Sequence, residues 1–210
     1  MSAWPQLTGR MEGALVVVEP LAPEHEEDLF AAGHDLEMWR YLTSFPNAYE
    51  TRERFHGWME EALAASAAGT EAAWAILDRA SGRAIGSTRY LALRPEHHSL
   101  EIGWTWLGRP WWRTGVNVET KLLLLRRAFE QLGCERVELK TDARNGRSRA
   151  AMEALPAQFE GIHRRHTKIP GGWRDTAWYS VIAPEWPQVR AALHERLARH
   201  GVAGYAAESR

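Results

Sequence analysis

One stretch constrains the fold of this chain more than any other: a strand that stops at a glycine-bearing turn and restarts as a helix. Leu100–Glu–Ile–Gly–Trp–Thr–Trp106 reads as the strand. Val118, Leu122, Leu125, Phe129 and Leu132 recur in steps of four, three, four and three, which predicts the helix. Pro110, Arg113 and Gly115 lie in the turn between them. The first backbone N–H groups of such a helix have no partner within it, and they coincide with the positive end of its dipole. The turn is therefore either a plain connection or an anion site.

The flanking pattern gives the turn its setting. Ala14–Pro20 predicts a first strand, and Pro23 with Glu24, Glu26, Glu27 and Asp28 predicts a helix start. A short helical piece follows at Leu36–Trp39, and Phe45–Pro46–Asn47 breaks the chain. From about Thr51, Phe55, Met59 and Leu63 repeat at helical spacing. Ala72–Asp78, Arg83–Leu91 and His98–Trp106 then predict a three-strand antiparallel meander, with Gly86 marking a bulge or a close backbone approach.

After the central helix, Cys134–Thr141 alternates as a strand. Strand, helix and strand in that order predict a parallel pair joined by a right-handed crossover. A helix over Ser148–Leu155, capped by Asn145 or Asp142, leads to a hairpin turning at Pro170–Gly172 and a last helix over Glu185–Arg199. The expected fold is α/β (α+β): a mixed, mostly antiparallel sheet with one splayed parallel pair, flanked by helices. Residues 1–12 are expected as a flexible leader, 13–200 as one domain and 201–210 as a flexible tail. Where the parallel strands part, a crevice opens beside the helix start.

Charge narrows the classes of function. With 26 basic and 27 acidic residues, nothing suggests a nucleic-acid binder. The one cysteine, Cys134, gives no disulfide framework, and no His, Glu and Asp spacing matches a zinc motif, so no metal is expected. There is no Gly-x-x-x-x-Gly-Lys and no Gly-x-Gly-x-x-Gly, which argues against a nucleotide-dependent transferase. No signal-peptide pattern or membrane-length apolar run is seen, so a soluble, cytoplasmic protein is expected. The 11 tryptophans either fill a core or line a cleft for an organic ligand.

Four pieces, in order, carry a resemblance. They are Ile85–Gly86; Glu101–Ile–Gly–Trp–Thr–Trp106; Trp112–Arg–Thr–Gly–Val–Asn–Val–Glu119; and Asn145–Gly–Arg–Ser148 before Met152–Leu155 and Phe159–Gly161. The chain resembles the GNAT superfamily of N-acetyltransferases over about residues 14–183, and within it the Rim-type branch that acetylates ribosomal-protein N-termini. The resemblance implies an enzyme that uses acetyl-CoA as cosubstrate and moves its acetyl group to a primary amine, on a small molecule or a peptide N-terminus, by direct attack in a ternary complex. A CoA-binding module with little catalysis is the alternative. A homodimer is compatible with such a fold.

The same resemblance assigns residues. Arg113, Thr114, Gly115, Val116, Asn117 and Val118 fall at the pyrophosphate loop, Trp104 and Trp106 along the cofactor's path, and Asn145 at the pantetheine arm. Ser148 falls among the cofactor-binding residues and where a hydroxyl protonates the CoA thiolate, and Glu101 where relatives carry a catalytic base. Three positions depart from the family pattern, one of them Pro156, which follows Leu155 where the family has glycine. Trp112 replaces Gln or Arg, and Asn117 replaces a small residue. Read without the resemblance, Asn145 and Ser148 are a helix cap and a first-turn serine, and Glu101 is a sheet carboxylate on the face opposite Leu100, Ile102, Trp104 and Trp106. Arg164, Arg165 and Lys168 form a basic run that either faces solvent or attracts an acidic substrate.

Overall fold

A computed structural model describes Trp4, residues 7–42 and residues 51–205. The break expected at Phe45–Asn47 lies outside the described residues. Eight strands form one sheet: β1 (Met11–Glu12), β2 (Val16–Pro20), β3 (Ala72–Asp78), β4 (Ala84–Arg94), β5 (Ser99–Leu107), β6 (Arg136–Asp142), β7 (Gln158–Ile169) and β8 (Gly172–Ile182). Their order is β1-β2-β3-β4-β5-β6-β8-β7. Among the described residues only β5 and β6 run parallel, so the mixed sheet expected from the sequence is present.

Helices cover both faces. On one face lie α1 (Glu26–Ala32), α2 (Leu36–Trp39) and α3 (Arg52–Ala67), over Ala73, Ala75 and Trp106. Thr51 caps α3 by accepting the N–H of Arg54, and Phe55, Trp58, Met59 and Ala62 form its buried stripe. On the other face lie α4 (Val116–Arg126) and α6 (Trp186–Arg199), over Val16, Trp74, Tyr90, Leu100, Ile102 and Val137. The short α5 (Gly146–Glu153) follows β6.

The central helix departs from the simple amphipathic stripe. Val116 and every residue from Val118 to Leu125 are buried. The helix is enclosed between the sheet on one side and α6 with the chain ends on the other, so even Glu119 and Lys121 are inside. It runs on as a π-helical turn over Arg127–Gln131.

The expected leader and tail also pack in part. Leu7 and Met11 are buried, and the Trp74 indole N–H donates to the Gly9 carbonyl at 3.1 Å. Val202 is buried, and the Tyr205 hydroxyl donates to Glu119 at 2.7 Å. Both segments have hydrogen-bond and apolar partners on α4 and the sheet, which composition alone does not reveal.

Candidate active site

The site is built by a defect in β5. Between Ser87 and Arg89, β4 advances two residues while β5 advances three, from Trp106 back to Gly103. The extra residue is a bulge, and Trp104 adopts a left-handed φ of +50°. The bulge inverts side-chain alternation beyond it. Leu100 and Ile102 point into the α4 core, whereas Trp104 and Trp106 join the aromatic cluster under α1–α3. Strict alternation places all four on one face. The structure corrects this, and Trp104 and Trp106 share the face of Glu101.

The bulge also ends the parallel ladder. β5 and β6 pair only at Ser99 with Arg136, Leu100 with Val137 and Glu101 with Glu138. Beyond Glu101 the two strands separate, so the edge of β5 from Ile102 to Leu107 faces a gap. Gly86 supports the strand from its other side. A Cβ there would lie 2.2 Å from the Trp106 carbonyl oxygen, so the close approach of β5 requires a glycine.

The gap leads to the start of α4. Gly115 is the N-cap residue, at φ +89°, and no side chain caps the helix. The N–H groups of Val116, Asn117 and Val118 therefore have no acceptor within the helix. Arg113, also left-handed at φ +64°, precedes it and is exposed together with Thr114. The Thr114 hydroxyl donates to the Trp111 carbonyl at 2.7 Å and fixes the turn. Left-handed positions beside a bare helix start make a concave set of donors suited to phosphate.

A Cβ at Gly115 would meet Leu15 Cδ1 at 3.2 Å and His200 Cγ at 3.3 Å, on the protein side of the turn. A bulky residue at Gly115 would act by forcing the backbone out of its left-handed well. We expect Gly115→Val to weaken CoA binding by about tenfold or more, for a strain of about 1–3 kcal/mol, with circular dichroism unchanged. Unaltered affinity by calorimetry would remove the turn from the cofactor site.

Trp112 has a defined use. Its indole N–H donates to the Leu107 carbonyl at 2.8 Å, and the Arg147 guanidinium lies 3.7 Å from its ring centroid. Arg109 lies on the same ring at 5.7 Å and pairs with Asp35 at 3.0 Å. The aromatic ring thus gathers the guanidinium groups of Arg109 and Arg147 beside the helix start. Sequence reasoning misses Arg147 because its aromatic partner lies on a different element, before α4.

On the face of β5 that carries Trp104 and Trp106, Glu101 is 1% exposed. Its carboxylate pairs with Lys140 Nζ at 2.7 Å. Burial raises its pKa above the usual carboxylate range, with Lys140 opposing that shift. Lys140 also lies 5.0 Å from the Trp178 ring. On the opposite face, Lys121 Nζ donates to Thr105 Oγ1 at 2.8 Å, and Thr105 shares a 2.8 Å hydrogen bond with Thr88. Desolvation lowers the Lys121 pKa to about 7. Lys121 lies three residues after Val118 and four before Leu125, on the apolar stripe, and that position is a legible signal.

The remaining assigned residues are distributed around the gap. Asn145 caps α5 by accepting the Ser148 N–H at 3.1 Å, so its Oδ1 is engaged in the cap. Ser148 is half-buried in the first turn of α5. Trp106 is 5% exposed and packs edge-on against Trp39 and Trp58, so only its backbone is placed to meet a ligand. Trp104 is half-buried, with the Arg89 guanidinium 4.9 Å from its ring. Among the described residues no group of three or more His, Cys, Asp or Glu is arranged to hold a metal ion.

A mixed sheet split beside a glycine-started helix, with a buried carboxylate at the point of splitting, is the architecture of an acyl-CoA-dependent acyltransferase. The family model for the acetyltransferase (GNAT) domain matches residues 16–158. An acetyltransferase from T. thermophilus is 40% identical, spans 94% of this chain and 100% of its own, and superposes with a TM-score of 0.81. A GCN5-related N-acetyltransferase from Brucella melitensis is 33% identical over 91% of this chain and 86% of its own, with a TM-score of 0.83. Mycobacterium smegmatis RimJ, solved with CoA-disulfide, is 22% identical over 95% of this chain and 96% of its own, with a TM-score of 0.71, and is alike in fold. The chain belongs to the GNAT acetyltransferases and is an acyl-CoA-dependent N-acetyltransferase. No helix among the described residues is long and apolar enough to cross a membrane.

Proposed function

We propose that this protein transfers the acetyl group of acetyl-CoA to a primary amine by direct attack, with both substrates bound together in the split between β5 and β6. The observation that carries this reading is the position of Glu101: a buried carboxylate at the last paired residue of β5, where the sheet opens. In this reading the N–H groups at residues 113–118 hold the pyrophosphate, and the free edge of β5 receives the pantetheine arm. The complex of RimJ with CoA-disulfide supports CoA as the ligand. A cytoplasmic setting fits such a cosubstrate.

The neutral amine forms the C–N bond at the thioester carbonyl, and the C–S bond breaks to release the thiolate. Glu101 accepts the proton that the amine loses, directly or through water. A raised carboxylate pKa suits that task, because the base is then closer in strength to the group it deprotonates. Lys140 keeps the carboxylate oriented and ionised. A backbone N–H on the free edge of β5 stabilises the oxyanion. The Ser148 hydroxyl returns a proton to the departing thiolate and is restored from solvent.

The test is acetyl-CoA-dependent thiol release over a panel of small amines, polyamines, aminoglycosides and N-terminal peptides. Glu101→Gln should lower kcat by about 10²-fold or more and remove the acidic limb of the pH profile, since turnover rises as pH climbs through the Glu101 pKa. Ser148→Ala should lower kcat more than it lowers CoA affinity. A Glu101→Gln enzyme with wild-type turnover and pH profile would eliminate Glu101 as the base. CoA binding without release on any acceptor would favour a regulatory module.

A further inference from the structure

The acceptor side of the split is continuous with the β7–β8 hairpin. Between the pairs His163–Thr176 and Thr167–Arg174, β7 carries three residues against Asp175 alone. Asp175 Oδ1 accepts the Arg165 N–H at 2.6 Å, and Arg165 sits at a left-handed φ of +49°. This bulge brings His163 and His166, three residues apart, onto the same indole: their rings lie 5.0 and 5.7 Å from Trp178. A regular strand would send them to opposite faces. Trp178 pairs with Lys140 across the sheet, and Lys140 is the ion-pair partner of Glu101.

The hairpin's charge stands apart from the rest of the chain. Residues 163–175 carry Arg164, Arg165, Lys168 and Arg174 against the single acid Asp175, a net +3 with histidines neutral, in a protein of net −1. Asp175 is turned to the Arg165 backbone. Arg164, Arg165 and Lys168 are exposed, and the Arg165 guanidinium lies 5.0 Å from the ring of Trp173, itself 46% exposed. β7 is the last strand of the sheet, so its outer edge leaves backbone donors and acceptors open to an extended chain.

We propose that the acceptor is the N-terminus of a peptide with acidic side chains, its amine at Glu101 and its downstream carboxylates against Arg164, Arg165 and Lys168. This rests on the reading of Glu101 given above. Glu101 is level with Glu138 and Ser180, and Ser180 lies five residues along β8 from Asp175. Three inter-strand steps of about 14 Å in all, with about 16 Å along the strand, give a span of about 21 Å, which about six extended residues cover. Acids at positions six to eight therefore matter most. A small amine reaches Glu101 without touching the hairpin. A peptide gains from steering between opposite charges at the rim.

The experiment uses three C-terminally labelled peptides with free N-termini and Asp, Ser or Lys at positions six to eight. Binding is read by fluorescence anisotropy, independently of turnover, on the wild type and on the Arg164→Glu/Arg165→Glu double variant. The acidic peptide should bind about tenfold tighter than the Lys peptide, the gap should close near 1 M salt, where screening extends only about 3 Å, and the double variant should reverse the order with CoA affinity unchanged. Equal binding of all three peptides, or a preference that survives charge reversal, would overturn the proposal. Acetylation of amines without any peptide preference would refute this inference alone. The expected peptide preference without acetylation would support the docking and refute the transfer reading.

Discussion

Glu119→Ala should destabilise the fold by roughly 3 kcal/mol or more, the cost of leaving several donors unmet. Glu119 is fully buried in the first turn of α4. Its carboxylate accepts the N–H groups of Ala14, Leu15 and Val16 at 2.7, 2.7 and 2.8 Å, and the Tyr205 hydroxyl at 2.7 Å. One side chain thus ties the start of β2, α4 and the last described turn of the chain together. Alanine would leave three backbone donors without their acceptor. Gly13 tests the same clamp from the other side, because a Cβ there would lie 2.3 Å from the carboxyl carbon. Gly13→Ala should be costly in the wild type and much cheaper in the Glu119→Ala background, so the pair should be strongly non-additive. Urea unfolding of the four proteins measures this. A Glu119→Ala protein within 1 kcal/mol of wild type (roughly one lost neutral hydrogen bond) would show that the clamp does not carry the helix.

Lys121→Met should have the opposite sign. The Lys121 ammonium is enclosed, its hydrogen bond goes to the neutral Thr105 hydroxyl, and burial holds its pKa near 7 against an ordinary value of 10.5. Between those values the unfolded chain binds a proton that the folded chain does not. Stability therefore rises with pH through this window, approaching 1.4 kcal/mol per pH unit, and is lowest at and below pH 7. A methionine of similar length has no charge to desolvate, and Thr105 keeps Thr88 as a partner. The variant should be more stable than wild type at pH 7, by about 1–4 kcal/mol on the precedent of buried-ion replacements. The advantage should shrink toward pH 10. A difference that stays constant from pH 7 to 10, or a less stable variant, would show that Lys121 is better solvated than its burial implies.

Why a costly group sits there follows from its neighbours. Lys121 and Glu101 lie on opposite faces of β5, and the Glu101 charge acts on Lys121. The Lys121–Thr105–Thr88 chain also anchors the strand immediately after the Trp104 bulge. The same side chain that weakens the fold holds the distortion from which the site is made.

Periodicity and turn residues make most of the fold legible: the meander, the central helix, the parallel crossover and the late hairpin all lie close to where the residue pattern puts them. Two defects are not legible, and both shape the site. Nothing in Gly103–Trp104–Thr105 announces a bulge, so alternation assigns Trp104 and Trp106 to the wrong face. Nothing in His163–Arg–Arg–His166 shows that two histidines three apart will meet on one indole, because that depends on Asp175 capping the bulge from the opposite strand. Contacts across the whole chain are hidden for another reason. Glu119 finds its partners more than 80 residues away in either direction, and Lys140 reaches Glu101 only after β6 is laid beside β5. Local sequence records propensity, whereas these contacts record topology.

The three-pair seam between β5 and β6 has a mechanical consequence. Five strands lie on one side of it and three on the other, and for most of their length nothing in the backbone sews the two panels together. A ligand bearing amides along its arm would act there as a suture, supplying rungs that the protein omits. The cosubstrate would then tighten the enzyme as well as feed it. Amide exchange along Ile102–Leu107 should slow on CoA binding, while the already laddered Ser99–Glu101 should slow far less.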